Sequence, residues 1–488
     1  MPQARAASAA TVAASASTPR PNILLILVDD MGYGDFGRFN GGLCPTPRLD
    51  ALMDEGVVLS QHFTASPVCN PSRACLLTGR YPHRTGSIDT LEWWGLERLA
   101  LREQTLADLL RQAGYRTGLI GKWHLGSFDP RYHPRQRGFD ETICFRGGMH
   151  DYYRWRLEWG DTLRRGDGQT YLTDVWTQQA VDFIRRARPG QPFFLHLTYN
   201  APHTPLQCPA EDAAAFAHLD LPQGVKTLYG MIRRMERGVE QVLETLDQQG
   251  LRDNTLVIFT SDNGPQFGGE GDRCTTRFNC QLHGAKGSTY DGGIRVPGIW
   301  RWPAGGLIGG RTVDAMVHFA DYLPTLLHAA GVTQRPHRPL DGIDLLPLLQ
   351  GDPAAAHSDC TRRFWQWNRY APLAHCNAAM RDGDWKLVRP ALPEAMKVHD
   401  IELLHKSMYE PEHFETHGIL TGPYPSRTVP PPPPAELYNL ATDPLEQHNL
   451  APTEPARVHH MSQALDQWFE EVEADRATIT DAAQLPPT

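Results

Sequence analysis

Hard oxygen ligands stand at two places in this 488-residue chain, each just past an apolar run. Asp29-Asp30 follows Asn22–Val28, and Asp262-Asn263 follows Thr255–Thr260. Three carboxylates and an amide form an all-oxygen set that suits Ca²⁺, with Mg²⁺ as the alternative. Each pair alone also has a plainer reading, since paired acids cap helices and Asn-Gly, here Asn263-Gly264, makes turns. Between the two pairs lies Val68-Cys69-Asn70-Pro71-Ser72-Arg73, which runs on to Leu76-Leu77-Thr78-Gly79-Arg80. Taken alone, Cys69 reads equally as a small buried hydrophobe ahead of a helix that starts near Pro71. Three more segments concentrate titratable groups: Gly121-Lys122-Trp123-His124-Leu125-Gly126, Pro202-His203-Thr204-Pro205 and Gly284-Ala285-Lys286-Gly287. In isolation His124 reads as a packed interior residue and His203 as part of a rigid turn.

Something must carry these groups to one place, and the apolar runs supply it. Ile23–Val28, Thr117–Gly121, Phe193–Tyr199 and Thr255–Thr260 are short and continuous, as expected of strands buried on both faces. Helical patterns at Thr105–Ala113 and Tyr229–Gln248 lie between them, the latter ended by glycine. The alternation predicts an α/β fold with a large, mostly parallel mixed sheet sandwiched by helices. In such sheets ligands bind beyond the carboxyl ends of the strands, where the polar groups stand. After about residue 350 the texture changes, so a catalytic unit over 21–352 and a C-terminal α+β subdomain over 353–488 are expected. The subdomain would hold a short antiparallel sheet from Arg381–Val388 and Glu436–Leu440, and a helix near Arg457–Arg476. Residues 389–435, polar, His-rich and closed by five prolines at 430–434, read as a long surface loop with a polyproline II segment. Residues 1–20, rich in Ala and Ser, read as a disordered or leader segment without a clear secretory h-region. Compartment stays open between periplasm, secretion and cytoplasm.

The stretch from Cys69 through Pro71, Ser72 and Arg73 into Leu-Leu-Thr-Gly-Arg resembles the signature of the sulfatase family, in the alkaline-phosphatase superfamily. Five further segments resemble that family in order: Asp29-Asp30, Gly121–Gly126, Pro202–Pro205, Asp262-Asn263, and Gly284–Pro297 with Lys286. Asp291 stands in the last of these where glutamate is commoner, a departure expected to be structural. Weaker matches continue at Asp341-Gly342 with Leu345–Pro347 and at Glu436–Leu440, so the resemblance spans about residues 21–470. It implies that a formylglycine-generating enzyme oxidises Cys69 to Cα-formylglycine, whose hydrate attacks sulfate esters. It places a divalent cation among Asp29, Asp30, Asp262, Asn263 and the modified residue 69. It gives Arg73, Lys122 and Lys286 to charge stabilisation, His124 to the base for the second hydroxyl, and His203 to the leaving-group side. The implied substrate is a small-molecule or carbohydrate sulfate ester of arylsulfatase type.

Net charge of −9 provides no footprint for nucleic acid. No apolar stretch approaches the roughly 20 residues needed to span a bilayer. Nine cysteines are too few for a disulfide scaffold, and Cys274 with Cys280 is the most plausible local pair. Trp93, Trp94, His150, Asp151, Tyr152, Tyr153 and Trp155 are candidates for the rim of a ring-binding pocket, with loop packing as the equal alternative. His357, His375 and the 389–435 segment are candidates to close over it. The competing activities are phosphonate or phosphate ester hydrolysis with the same groups, and non-catalytic sulfoglycan binding.

Overall fold

The computed structural model describes residues 20–352 and 362–481. The leader expected before Arg20, His357 and Cys360 fall outside the described residues. Ten strands form one sheet: β1 (Asn22–Val28), β2 (Val57–Phe63), β3 (Arg116–Lys122), β4 (Glu141–Phe145), β5 (Arg156–Trp159), β6 (Thr162–Arg165), β7 (Phe193–Thr198), β8 (Thr255–Ser261), β9 (Gly298–Arg301) and β10 (Arg311–His318). Their order is β10-β2-β9-β8-β1-β7-β3-β4-β5-β6. The centre is parallel, with β1 paired to β7 and β8, and β3 paired to β7 and β4. Antiparallel pairs flank it: β9 separates β2 from β8, and β5–β6 is an edge hairpin. Every residue of β1 and of β8 is buried, which is why these runs do not alternate in polarity.

Helices cover both faces. One face packs against Cys75, Leu76 and Leu77 of the Cys69–Thr78 helix and Leu106, Leu109 and Leu110 of the Leu106–Gln112 helix. The other packs against the Leu172–Arg185 helix, through Trp176 and Phe183, and the Gln223–Gln248 helix, through Val239 and Val242. The Leu106 helix opens with a capping box: Thr105 Oγ1 accepts from the Asp108 N–H, and the Asp108 carboxylate accepts from the Thr105 N–H.

A second, antiparallel sheet is made by β11 (Arg362–Gln366), β12 (Ala378–Asp382), β13 (Trp385–Arg389) and β14 (Glu436–Asn439). The Pro455–Arg476 helix lies on it, burying Met461, Leu465, Trp468 and Val472 with Leu387 and Leu437. The two sheets meet through Phe63, Ile294, Trp365 and Val388, and the Trp365 indole N–H donates to the Thr64 carbonyl at 2.7 Å.

Two expectations need correction. The 389–435 segment is not a single long loop, because it contains a 3-10 turn at Pro393–Met396 and helices at Glu402–Tyr409 and Pro411–His417. Its apolar residues have partners that no local pattern shows. Phe414 stacks on Phe128 with centroids 4.8 Å apart, and the Trp93 and Trp94 indoles both donate to Asp400. Residues 418–434, the five prolines included, keep the expected character, mostly exposed and without helix or strand. Cys274 and Cys280 are not a disulfide, as both are free thiols. The Cys280 sulfur sits 3.8 Å from the Phe39 carbonyl instead.

Candidate active site

The parallel register of β1 and β8 aligns Val28 with Ser261, so the next two residues of each strand emerge side by side at the carboxyl edge. The Asp262 N–H donates to the Val28 carbonyl. Asp30 takes φ +67°, a left-handed conformation uncommon outside glycine. That bend sets its carboxylate against Asn263, whose Nδ2 donates to Asp30 Oδ1 at 2.8 Å. Lys122 ends β3, two strands from β1, and its Nζ reaches Asp29 Oδ2 at 2.6 Å. The helix from Cys69 places Arg73 one turn on, on the same face. Arg73 Nε and Nη2 lie 2.9 and 2.7 Å from Asp262 Oδ2, and Nη2 lies 3.8 Å from Asp29. Lys286 Nζ is 2.7 Å from Asp30 Oδ1, and His203 Nε2 is 3.6 Å from Asp30 Oδ2. Cys69 Sγ, Asp29 and Asp262 offer ligand atoms within 4.8 Å of one another, as do Asp29, Asp30 and His203. His124 faces the same cavity as Cys69, His203 and Lys286. All ten residues singled out from the sequence therefore converge.

The donor set fits a hard cation. Asp29 Oδ1 and Asn263 Oδ1 are buried acceptors with no hydrogen-bond partner, an arrangement that costs stability unless something binds them. Burial, and then the neighbouring Asp29, push the Asp262 carboxyl up to about 6 against the pull of Arg73 and Lys122. Burial opposes ionisation of Asp30 as well, but Lys286 and His203 outweigh it and hold that carboxyl below its ordinary range. Burial raises the Cys69 thiol despite Lys122 and Lys286, which disfavours the thiolate that a cysteine nucleophile needs. Burial, with Lys122 and Arg73 beside it, keeps His124 neutral, well below its ordinary value. His203 is pushed down to about 3 by burial and by Lys286.

The sulfatase family model matches residues 21–332, well over half of the chain. The chain belongs to the sulfatase family. It is 36% identical over 374 residues to N-acetylgalactosamine-6-sulfatase of Homo sapiens, covering 69% of this chain and 67% of that protein. It is 32% identical over 535 aligned positions to steryl-sulfatase of Rattus norvegicus, covering 90% of this chain and 86% of that one. Among solved structures it resembles Ps i-CgsB, crystallised with k-i-k-neocarrahexaose, at a TM-score of 0.76 and 30% identity over 92% of each chain. This protein is accordingly a sulfuric ester hydrolase, of a family that uses a metal ion and formylglycine.

In this sulfatase the converging groups open into a cavity of about 560 Å³. Its upper walls come from Phe267, from Trp367 and Arg369 beyond β11, and from Met396, Leu404 and Met408 of the 389–417 segment. That segment does cover the site, as expected for 389–435. His375 is exposed and does not line the cavity. The aromatic residues expected at the rim do not line it either. Trp93 and Tyr152 are core residues, Tyr153 packs on Tyr171, and the Trp155 indole donates to the Thr170 carbonyl. The Asp151 carboxylate accepts from the Tyr153 and Arg154 N–H groups. His150 holds the backbone of Arg156. Sequence reasoning missed Trp367, Arg369 and Glu92, all of which line the cavity. They stand in no motif and on no periodic face, so only the folded chain reveals them. Asp291 is structural, because it is buried in an ion pair with Lys386 at 2.6 Å. No helix among the described residues is long and apolar enough to cross a membrane.

Proposed function

We propose that the chain hydrolyses sulfate monoesters borne on a small ring or carbohydrate, using Cα-formylglycine made from Cys69 and a divalent cation, Ca²⁺ in preference to Mg²⁺. The carrying observation is that Cys69, a disfavoured thiolate, shares one buried site with two unpartnered acceptor oxygens and three side-chain cations. Asp29, Asp30, Asp262 and Asn263 would hold the cation, with an oxygen on residue 69 completing the set. The hydrated aldehyde supplies an oxygen nucleophile and a second hydroxyl through which sulfate is released.

The remaining residues have roles set by their charge and place. Arg73, Lys122 and Lys286 draw charge from the non-bridging sulfate oxygens. Lys122 and Lys286 lie on Asp29 and Asp30, within reach of residue 69. His124, kept neutral, removes a proton at position 69. His203 donates Nδ1–H to the Thr204 carbonyl at 2.7 Å, leaving Nε2 toward the site. An anionic ester beside it favours the imidazolium, which then gives its Nε2 proton to the leaving oxygen. Relatives named for N-acetylgalactosamine-6-sulfate and steryl sulfate hydrolysis support a ring-borne ester.

The test is the mass of the residue-69 peptide from active enzyme, together with turnover of p-nitrophenyl sulfate before and after chelation. The expected result is an aldehyde in place of the thiol, with activity lost on chelation and restored by Ca²⁺. An intact thiol in active enzyme overturns the covalent role. Faster turnover of the matching phosphate or phosphonate ester would replace the sulfatase activity with the competing one.

A further inference from the structure

Glu92 is a buried acid on the cavity wall, outside every motif. It begins the short Glu92–Trp94 turn, whose two indoles are anchored on Asp400. Its Oε1 accepts from the Gly148 N–H and lies 4.0 Å from His124 Nε2. His124 is itself clamped at the backbone: its N–H donates to the Arg146 carbonyl, and its own carbonyl accepts from Asn70 Nδ2 at 2.7 Å. Its φ is +54°. Both ring nitrogens are buried without a hydrogen-bond partner, and the Glu92 carboxylate is the acid that stands beside Nε2. Gly148 makes room for the approach. A Cβ there would lie 2.7 Å from His124 Nε2, closer than real contacts allow, and 3.1 Å from Glu92 Oε1, a tight contact.

We propose that Glu92 is the positioning residue of His124, facing the Nε2 edge of the ring and closing on it when the imidazole takes up the proton from position 69. This rests on the role of His124 given above. When sulfate is released, the O–H bond at position 69 breaks toward the imidazole. Its electron pair completes the carbonyl, and sulfate leaves with the electrons of its bond to carbon. The imidazole takes that proton on the ring nitrogen away from Glu92, its Nε2 proton passes to the Glu92 carboxylate, and Glu92 returns it to water entering the cavity. Burial and the carboxylate of Glu97 raise Glu92 to about 7, suited to holding a proton briefly near neutral pH. Lys122, the cation acting on it, and the N–H of Gly148 work in the opposite direction. Glu97 is itself held by the Ser127 N–H at 2.8 Å.

The experiment uses mature, metal-loaded full-length enzyme with p-nitrophenyl sulfate, comparing wild type, E92Q, E92D and H124A. A residue acting only in release lowers kcat and KM together. E92Q is expected to lose about 10–100-fold in kcat, within the range for proton-transfer groups, while kcat/KM stays within about twofold. Rapid acid quench should find covalent sulfate retained on the residue-69 peptide of both E92Q and H124A, and E92D should recover part of kcat. Sulfate retained in H124A but not in E92Q overturns the role of Glu92. A parallel fall of kcat and kcat/KM in E92Q does the same. Retention in neither variant overturns the role of His124, and this inference with it.

Discussion

At the residue scale, the site is organised by what burial does to each titratable group. Cys69 is raised by burial, so as a thiol it is nearly inert, and the proposed mechanism uses it only as the precursor of an aldehyde. C69A is expected to abolish p-nitrophenyl sulfate hydrolysis while costing only about 1 kcal/mol of stability, a small loss of buried volume. Turnover and the thermal midpoint check both halves. Glu92 gives a pH-dependent counterpart. Its folded value of about 7 exceeds its ordinary 4.5, so its contribution to stability is fully present below about 4.5 and is lost as pH rises through 7. At alkaline pH the buried carboxylate costs on the order of 3 kcal/mol. E92Q should therefore match wild type near about pH 4 and become more stable than wild type by about pH 8. Thermal midpoints across that range provide the measurement, and a constant difference would contradict it.

At the scale of elements, short local devices fix where the strands and helices end, and a buried ion cluster joins the two sheets. T105A removes the capping interaction that starts the Leu106–Gln112 helix and should cost about 1 kcal/mol, read as a shift in denaturant midpoint. Because this helix lies behind the sheet rather than at its carboxyl edge, kcat should change little. Lys386 of β13 is buried between Asp291 at 2.6 Å and Glu446 at 2.7 Å. It ties the second sheet to the loop that carries Lys286. K386M leaves two carboxylates facing each other without a cation and should cost about 3–5 kcal/mol. Adding D291N and E446Q to K386M should recover most of that loss in the same denaturant titration.

At the scale of the whole molecule, the reacting groups come from the first sheet and much of the substrate wall comes from the second. The 389–417 segment stands over the cavity on Phe128 and Trp93, apart from the groups proposed to hold the sulfate. L404A should weaken capture of a ring-bearing ester by about 1–3 kcal/mol, seen as a fall in kcat/KM. Inhibition by inorganic sulfate, which contacts only the ion-binding groups, should stay the same. The shared core of Phe63, Ile294, Trp365 and Val388 argues that the sheets unfold together, and one calorimetric transition is the expected result.

The ten convergent residues were legible in the sequence because each sits in a short contiguous motif, and seven of them, Asp29, Asp30, Lys122, His124, His203, Asp262 and Asn263, follow an apolar run. Chain continuity alone carries such a group to a strand end, and the apolar run places that strand at the sheet centre. The α/β class and most element positions were legible for the same reason, since burial on both faces and helical periodicity are local patterns. The cavity walls were not. Glu92, Trp367, Arg369 and Leu404 are brought together from distant segments by packing, which no local pattern records. The 389–417 helices formed against aromatic partners nearly three hundred residues away in the chain (Phe128 for Phe414). Reaction class could thus be read from contiguous motifs, whereas the shape of the pocket and the place of Glu92 beside His124 were decided only when separate segments met in three dimensions.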